Sequence, residues 1–461
     1  MRISTVLNGL TAGWIGSESS LRIGVTGLSR AGKTVFITSL VANLLNRGRM
    51  SQLSGVANGT IIAAYLQPQP DDTIPRFEYE THLADLTGTD PRWPQSTRTV
   101  SQLRLSLKLQ PQGLLGAVSY PRVLHLDIVD YPGEWLLDLG LLDKSYQQWA
   151  DSVLNTLQNR DCAQDFLNAL PDANAKYDED TAQALTRRFV SYLHAARQEG
   201  FSDCTPGRFL LPGDLEGSPA LTFAPIHSPQ NPKRGSLWSE MQRRFEAYKK
   251  QVVQPFFRDH FAKIDRQVVL MDALGAIHNG PQAVEDMRHA MTDVLTAFRP
   301  GAVGFLASLF GIHRVERILF AATKADHLHH SQHARLTQIV SAMLRKARDK
   351  ADFSGALTTA MAIASYRATV EQSLKHQGET LDCVRGTLLE TGKQAAFYAG
   401  QLPDDPAQLL NLARQGAEKW LDADYQIMNF APAQMTLKPD QGPPHIRLDR
   451  AIDFLIGDYL T

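Results

Sequence analysis

The chain is short of three things. It has almost no net charge: 47 lysines and arginines against 48 aspartates and glutamates leave a formal charge of −1. No global field exists to hold nucleic acid or an anionic membrane. It has three cysteines, Cys162, Cys204 and Cys383, far apart and in no C-x-x-C pair. They read as buried thiols of a reducing compartment. It also has no apolar run long enough to span a bilayer. The nearest, GAVGFLASLFGI from Gly301 to Ile312, is too short and reads as a buried helix. The opening MRISTVLNGLTAGWIG has no continuous apolar stretch of the kind a secretory signal needs. Its Val6, Leu7, Leu10 and Trp14 have helical spacing and predict a short packed helix. What is present, 43% hydrophobic and 21% charged residues, fits a soluble globular protein. The length, 461 residues, predicts two or three domains.

The chemistry starts at Leu21 to Thr34, LRIGVTGLSRAGKT. A short apolar strand runs into a glycine turn and then a helix. Gly27, Leu28, Ser29, Arg30, Ala31, Gly32, Lys33 and Thr34 match the phosphate-binding pattern G-x-x-x-x-G-K-[ST]. Gly27 makes a turn that a Cβ would hinder, and Gly32 lets the backbone close on a phosphate. The N–H groups from Ser29 through Ala31 to Val35 then point inward, and the helix start adds its positive dipole end. Lys33 would neutralise β- and γ-phosphate charge, and the Thr34 hydroxyl would ligate Mg²⁺.

Two further segments give this loop a context. Val100 to Leu109 alternates, with Leu103, Leu105, Leu107 and Leu109 on one face, and predicts a half-exposed strand. Arg122 to Val129 is a second strand, ending in Asp130-Tyr131-Pro132-Gly133. A D-x-x-G at that place resembles a GTPase switch. Asp130 would hold Mg²⁺ through water, and the Gly133 N–H would sense the γ-phosphate. The hydroxyl closing on Mg²⁺ should precede the alternating strand, where Thr97 is the first choice and Thr99 the second. Glu134 occupies the place where many small GTPases carry a water-orienting glutamine. A carboxylate there would repel the γ-phosphate.

Ile318 to Ala322 predicts a buried strand ending in Thr323-Lys324-Ala325-Asp326. T/N-K-x-D in that position is the guanine-reading motif of P-loop GTPases. The Asp326 carboxylate can accept from guanine N1–H and the 2-amino group, and adenine offers neither donor. Buried polar pairing of this kind rejects the wrong base strongly. The Lys324 stem would lie along the base. After the next strand, an N–H of Ala364 or Ser365 would meet guanine O6. His329 and His333 have the spacing of helical metal ligands but no accompanying signature, so they read as a polar helix start.

Elsewhere, residues 46–96 are rich in turn formers and read as loop with short elements. Residues 136–264 carry helical stripes, among them Leu142, Tyr146, Trp149, Val153 and Leu157, and Met241, Phe245, Tyr248, Val252 and Phe256. Arg243, Arg244, Lys249 and Lys250 read as a solvated basic face. Arg266 to Leu274 predicts a buried strand, and a helix opening at Pro281 follows. Leu381 to Leu389 predicts a strand bent at Gly386, and Ile446 to Leu460 a terminal helix. The expected class is α/β: a P-loop GTPase-type three-layer domain with a large helical insertion after the D-x-x-G. Its parts are residues 1–135, the insertion 136–264, and residues 265–461 with a C-terminal extension.

With GLSRAGKT, LDIVDYPGEWLLDLG, FAATKADH and PHIRLDRAIDFLIGDYL together, the chain resembles the YcjX-like family of bacterial P-loop GTPases over nearly its whole length. The resemblance implies GTP and GDP binding with Mg²⁺, GTP hydrolysis, and a role in bacterial stress responses. It implies a cytoplasmic protein, free or peripheral at the inner membrane, with an unidentified protein partner reading residues 136–264. The loop form G-x-x-R-x-G-K-[ST] also looks like that of guanylate-binding proteins and atlastins, where the arginine acts on the phosphates in cis; that makes Arg30 a catalytic candidate. The competing classes are a P-loop ATPase or kinase and a scaffold that holds nucleotide without turnover.

Overall fold

A computed structural model describes residues 18–27, 30–95, 99–110, 121–296, 315–353, 355–421 and 425–460. The expected N-terminal helix, Leu28, Ser29, Thr97 and the 301–312 segment lie outside the described residues.

Seven strands form one sheet: β1 (Glu18–Gly27), β2 (Ile61–Gln67), β3 (Ser101–Leu109), β4 (Arg122–Asp130), β5 (Arg266–Met271), β6 (Arg317–Ala322) and β7 (Leu357–Ala362). Their order is β2-β3-β4-β1-β5-β6-β7. β3 runs antiparallel to β2 and β4, and every other pairing is parallel. The parallel strands read as unbroken apolar runs because both faces are covered. Alternation still sorts their side chains. Val268 and Leu270 join the core with Leu21, Ile23, Phe36 and Ile452, while Val269 and Met271 join the opposite core with Trp149, Phe189 and Phe245. The chain is a mixed α/β protein of the P-loop GTPase type.

The first face is covered by helix α1 (Lys33–Leu45) and, from the far end of the chain, by a helix over Leu448–Ile456. The second face is covered by the helices after β4: α2 (Gly133–Leu137), α3 (Tyr146–Leu157), α4 (Glu179–Gln198) and α5 (Leu237–Tyr248). Ser145 and Gln148 form a reciprocal capping box at α3, and Asp178 and Ser236 cap α4 and α5. Their inner stripes meet in an aromatic cluster, with Trp149 stacked on Phe245 at 5.1 Å between centroids. The buried cluster runs without a break from these rings to Ile318 and Phe320 of the sheet. Helices α6 (Ala273–His278), α7 (Pro281–Thr296) and α8 (His333–Met343) complete this layer. A small antiparallel sheet of β8 (Val370–His376), β9 (Glu379–Thr387) and β10 (Gln394–Phe397) stands beside it.

Several expectations need correcting. Residues 46–96 contain a full sheet strand, β2, and a helix, Tyr79–Thr87. The strand is hard to read because it lies at the sheet edge and leaves Ile62 and Tyr65 exposed. β3 is not half-exposed. It lies between β2 and β4, with Gln102 and Ser106 buried on its polar face, where Arg104 pairs with Asp127 at 2.6 Å. β5 stops at Met271, because Asp272 accepts a bond from the Gly275 N–H and starts α6. β9 passes through Gly386 as regular strand. The stripe from Met241 to Phe256 is not one helix: it widens to a π-turn over Lys249–Val253 before resuming at Gln254–Asp259. Three of the four residues of the basic face are ion-paired, and Lys250 is exposed. Arg243 and Arg244 pair with Glu240, Arg244 also with Glu179, and Lys249 with Glu246. All three cysteines are free thiols. Among the described residues, no helix is long and apolar enough to cross a membrane.

Candidate functional site

In an open α/β sheet, ligands sit beyond the carboxyl ends of the strands, where the strand order reverses. Here that place is the end of β1, between β4 and β5. Gly27 ends β1 packed against Leu270, whose carbonyl would lie 2.8 Å from an added Cβ. The loop then curls through two left-handed residues, Arg30 (φ 63°) and Gly32 (φ 79°). Such a backbone makes a concave nest of N–H groups. The Phe36 N–H bonds the Gly32 carbonyl at 2.9 Å and opens α1. The Lys33 ammonium folds back over the loop and donates to the Gly27 carbonyl at 3.1 Å.

Thr34 is buried in the first turn of α1, and Asp130, 1% exposed, ends β4 opposite Val25 of β1. A hydroxyl and a carboxylate are hard oxygen donors, the type Mg²⁺ takes. The pair therefore fits a magnesium ion.

The other end of the crevice is built by β6 and β7. Thr323 ties the end of β6 to that of β5: its N–H and hydroxyl both reach the Met271 carbonyl, at 2.9 and 3.2 Å. Lys324 is left-handed (φ 60°), and its ammonium pairs with the Asp272 carboxylate. Asp326 is buried, and its Oδ2 accepts from the Ala368 N–H at 2.8 Å. Its carbonyl accepts from the Thr369 hydroxyl. The Ala364 N–H is engaged by the Ile446 carbonyl at 3.1 Å, and Ser365 follows it on the cavity wall. His327 is buried edge-on to Phe430, and desolvation lowers its pKa, so it is neutral near pH 7.

One cavity of about 330 Å³ joins the two ends. Arg30 to Val35 line one end, and Lys324, Asp326, Ala364 and Ser365 line the other. Among the described residues, the structure thus brings the expected phosphate-loop and base-reading residues to one space. Thr99 is exposed just before β3. Gly133 is the buried first residue of α2. His333 is a buried post bonded to the Ala325 carbonyl at 2.7 Å and to Arg447, so it forms no ligand pair with His329. His329 and His330 face Glu371 of β8 instead.

Sequence reading missed the aromatic wall of this cavity. Trp93 donates through Nε1 to the Phe430 carbonyl at 2.8 Å and meets Tyr366 edge-on at 5.7 Å. The Tyr366 hydroxyl donates to the Ala433 carbonyl at 2.8 Å. Tyr366 stands directly after Ser365, and Trp93 lies between Pro91 and Pro94. An aromatic beside a base-reading segment was the available signal. Asp272 falls inside the strand expected over Arg266 to Leu274, although an aspartate just past an apolar run is also a helix-start signal.

The segment after Gly133 is clamped by the helices that follow it. Trp135 Nε1 donates to the Leu211 carbonyl at 2.9 Å, and the Arg208 guanidinium lies 3.2 Å from the Trp135 ring centroid. Asp138 accepts from the Gly207 and Arg208 N–H groups at 2.7 and 3.2 Å and from the Tyr248 hydroxyl at 2.5 Å. Its burial pushes its pKa up to about 6. Glu134 is buried, with Oε1 2.7 Å from Nη2 of Arg197 near the end of α4. A second chamber of about 270 Å³ lies here, lined by Glu134, Arg197, Asp272, Arg30 and Lys324. The last two also line the first cavity.

A sequence model of the YcjX-like family, DUF463, matches residues 21–460. The Ras-like GTPase YcjX of Escherichia coli strain K12 is 36% identical over 465 residues, covering 96% of this chain and 97% of that protein. The Ras-like GTPase YcjX of Shewanella oneidensis is 35% identical over 473 residues, covering 96% and 95%. The similarity runs from β1 to the terminal helix and takes in every element that lines the cavity: the chain belongs to the YcjX-like family.

Proposed function

We propose that the protein binds GTP and GDP with Mg²⁺, hydrolyses GTP slowly, and works as a nucleotide-dependent switch. The observation that carries this reading is the shared cavity, with the Lys33 loop at one end and Asp326 beside Lys324 at the other. Gly27, Ser29, Ala31, Gly32 and Val35 present backbone to the phosphates, and Lys33 neutralises them. Thr34 and Asp130 hold Mg²⁺, which neutralises phosphate charge when bound. Thr97 closes on it, with Thr99 as the alternative, and the Gly133 N–H senses the γ-phosphate. Arg30 adds charge at the phosphate end. Asp326 reads guanine, and Ser365 supplies the remaining contact, since the Ala364 N–H is already spent on Ile446.

Residues 136–264 act as the insertion between the two parts of the nucleotide domain, 1–135 and 265–461. They move with the segment that opens at Gly133, whose Trp135 they hold through the Leu211 carbonyl. An unidentified protein partner reads that movement, in a bacterial stress response and in the cytoplasm or at the inner face of its membrane. A second reading, a scaffold with negligible turnover, is favoured by one feature: Glu134 stands where a water-orienting glutamine would be, and it is ion-paired. Titration of GTP against ATP, with the parent and with Asp326→Asn, tests the base. Preferential ATP binding by the parent would sink the guanine assignment. Absence of Mg²⁺-dependent hydrolysis by the parent would leave the scaffold.

A further inference from the structure

Arg197 sits in the last turn of α4, far in sequence from any nucleotide motif. Its side chain is a quarter exposed, while that of Glu134, its partner, is 6% exposed. Both residues line the second chamber, together with Arg30 and Lys324. A buried carboxylate holds a guanidinium firmly while nothing more negative is near. A terminal phosphate carries more charge than a carboxylate and accepts the same forked donor geometry.

We propose that Arg197 is a triphosphate sensor, held by Glu134 in the diphosphate state and transferred to the γ-phosphate when a triphosphate binds. Glu134 and the γ-phosphate compete for one guanidinium. Glu134 follows the D-x-x-G directly, so the exchange acts on α2 from its first turn. α2 is fixed to the later helices through Trp135, bonded to the Leu211 carbonyl, and through Asp138 directly after it, bonded to the Gly207 N–H. The exchange therefore changes the countercharge at one end of that clamp and moves α4 relative to α2. A second consequence concerns Glu134. It is a positioning residue, storing the arginine beside the site and competing with the γ-phosphate for it. This inference rests on the nucleotide reading above and assigns it a residue in the insertion.

The test compares GDP with GTPγS at fixed Mg²⁺ in the parent, Arg197→Ala, Arg197→Lys and Glu134→Gln, with thermal melting alongside. Arg197→Ala is expected to weaken GTPγS by roughly 10- to 100-fold while GDP changes by less than about twofold. Arg197→Lys should fall between, because a lysine keeps the charge and loses the fork. Glu134→Gln should raise the GTPγS-to-GDP affinity ratio, since the competitor is removed. Equal loss of both nucleotides in Arg197→Ala, or no loss of either, overturns the proposal. If Arg197→Ala does not fold, an unchanged ratio in Glu134→Gln overturns it instead. If the parent prefers adenine, the same ratio is read with ATPγS and ADP, so failure of the guanine assignment and failure of this inference are separate results. A parent that binds neither pair overturns both.

Discussion

The two ends of the nucleotide cavity are made differently. The phosphate end is lined by one stretch, from Arg30 to Val35, shaped by the left-handed turns at Arg30 and Gly32. The base end is gathered from separate places in the chain, among them Trp93, the Thr323–His327 turn, Ser365 with Tyr366, and Phe430. On the proposed reading, backbone N–H groups and one lysine would give the first end strong attraction for phosphate but no preference among bases. Side chains brought together by the fold would give the second end its selectivity. Damage at the first should weaken all nucleotides alike, and damage at the second should distinguish among them.

The largest expected effect is at the phosphate end. Lys33→Ala removes the ammonium that now caps the Gly27 carbonyl. Loss of one partner of a desolvated charge pair costs several kcal/mol, so GTP, GDP and ATP should all weaken by roughly 10³-fold. Isothermal titration of the three nucleotides checks it; a loss confined to guanine nucleotides would break the contrast between the ends. Asp326→Asn attacks the other end. The asparagine carbonyl can still accept from the Ala368 N–H that Asp326 holds at 2.8 Å, so the turn is expected to survive. GTP should weaken by roughly 10²-fold with ATP unchanged, because the guanine donors lose their acceptor. Equal weakening of GTP and ATP would show that Asp326 only supports the turn.

The same contrast explains what could be read from sequence. Gly27 to Thr34 and Asp130 to Gly133 are local patterns, in which spacing alone fixes the chemistry. The parallel strands were legible because burial on both faces leaves an apolar run, as in Val268 to Met271. β2 was not, since an edge strand with exposed Ile62 and Tyr65 keeps no clear alternation. The polar face of β3 misled for the opposite reason: Arg104 and Asp127 satisfy each other across strands, and no single segment reveals that. Trp93 with Phe430 and Glu134 with Arg197 are contacts between distant segments. Only the completed fold puts them together.

The clamp on the segment after Gly133 is also assembled from distant residues, and pH probes it. Asp138 ties the end of α2 to Gly207, Arg208 and Tyr248, and its pKa is pushed up to about 6 by burial, against Tyr248 and two backbone N–H groups. A raised carboxyl pKa means that the folded state binds the proton more tightly than the unfolded chain. Its contribution to stability is therefore present below about pH 4 and lost as pH rises through about 6. Asp138→Asn lacks that titration. The stability gap between parent and variant should shift by on the order of 2 kcal/mol between about pH 4 and pH 6.5, the parent losing the more as pH rises. Urea unfolding at a series of pH values checks the slope, and parallel curves would show that Asp138 does not titrate in this window.

The smallest effect divides the base end within itself. Asp326 offers hydrogen bonds that only guanine can use, whereas Trp93, Tyr366 and Phe430 offer ring faces and edges that any base can pack against. Trp93→Phe keeps a ring but loses the Nε1 bond to the Phe430 carbonyl at 2.8 Å. One such bond is worth about 1 kcal/mol, so GTP and ATP should each weaken roughly fivefold with their ratio unchanged. Tripolyphosphate, which has no base, should compete as well against the variant as against the parent. If its competition falls too, Trp93 acts on the phosphate loop, and the two ends are one coupled structure. If only GTP weakens, the wall takes part in reading the base, and selectivity is shared between packing and Asp326.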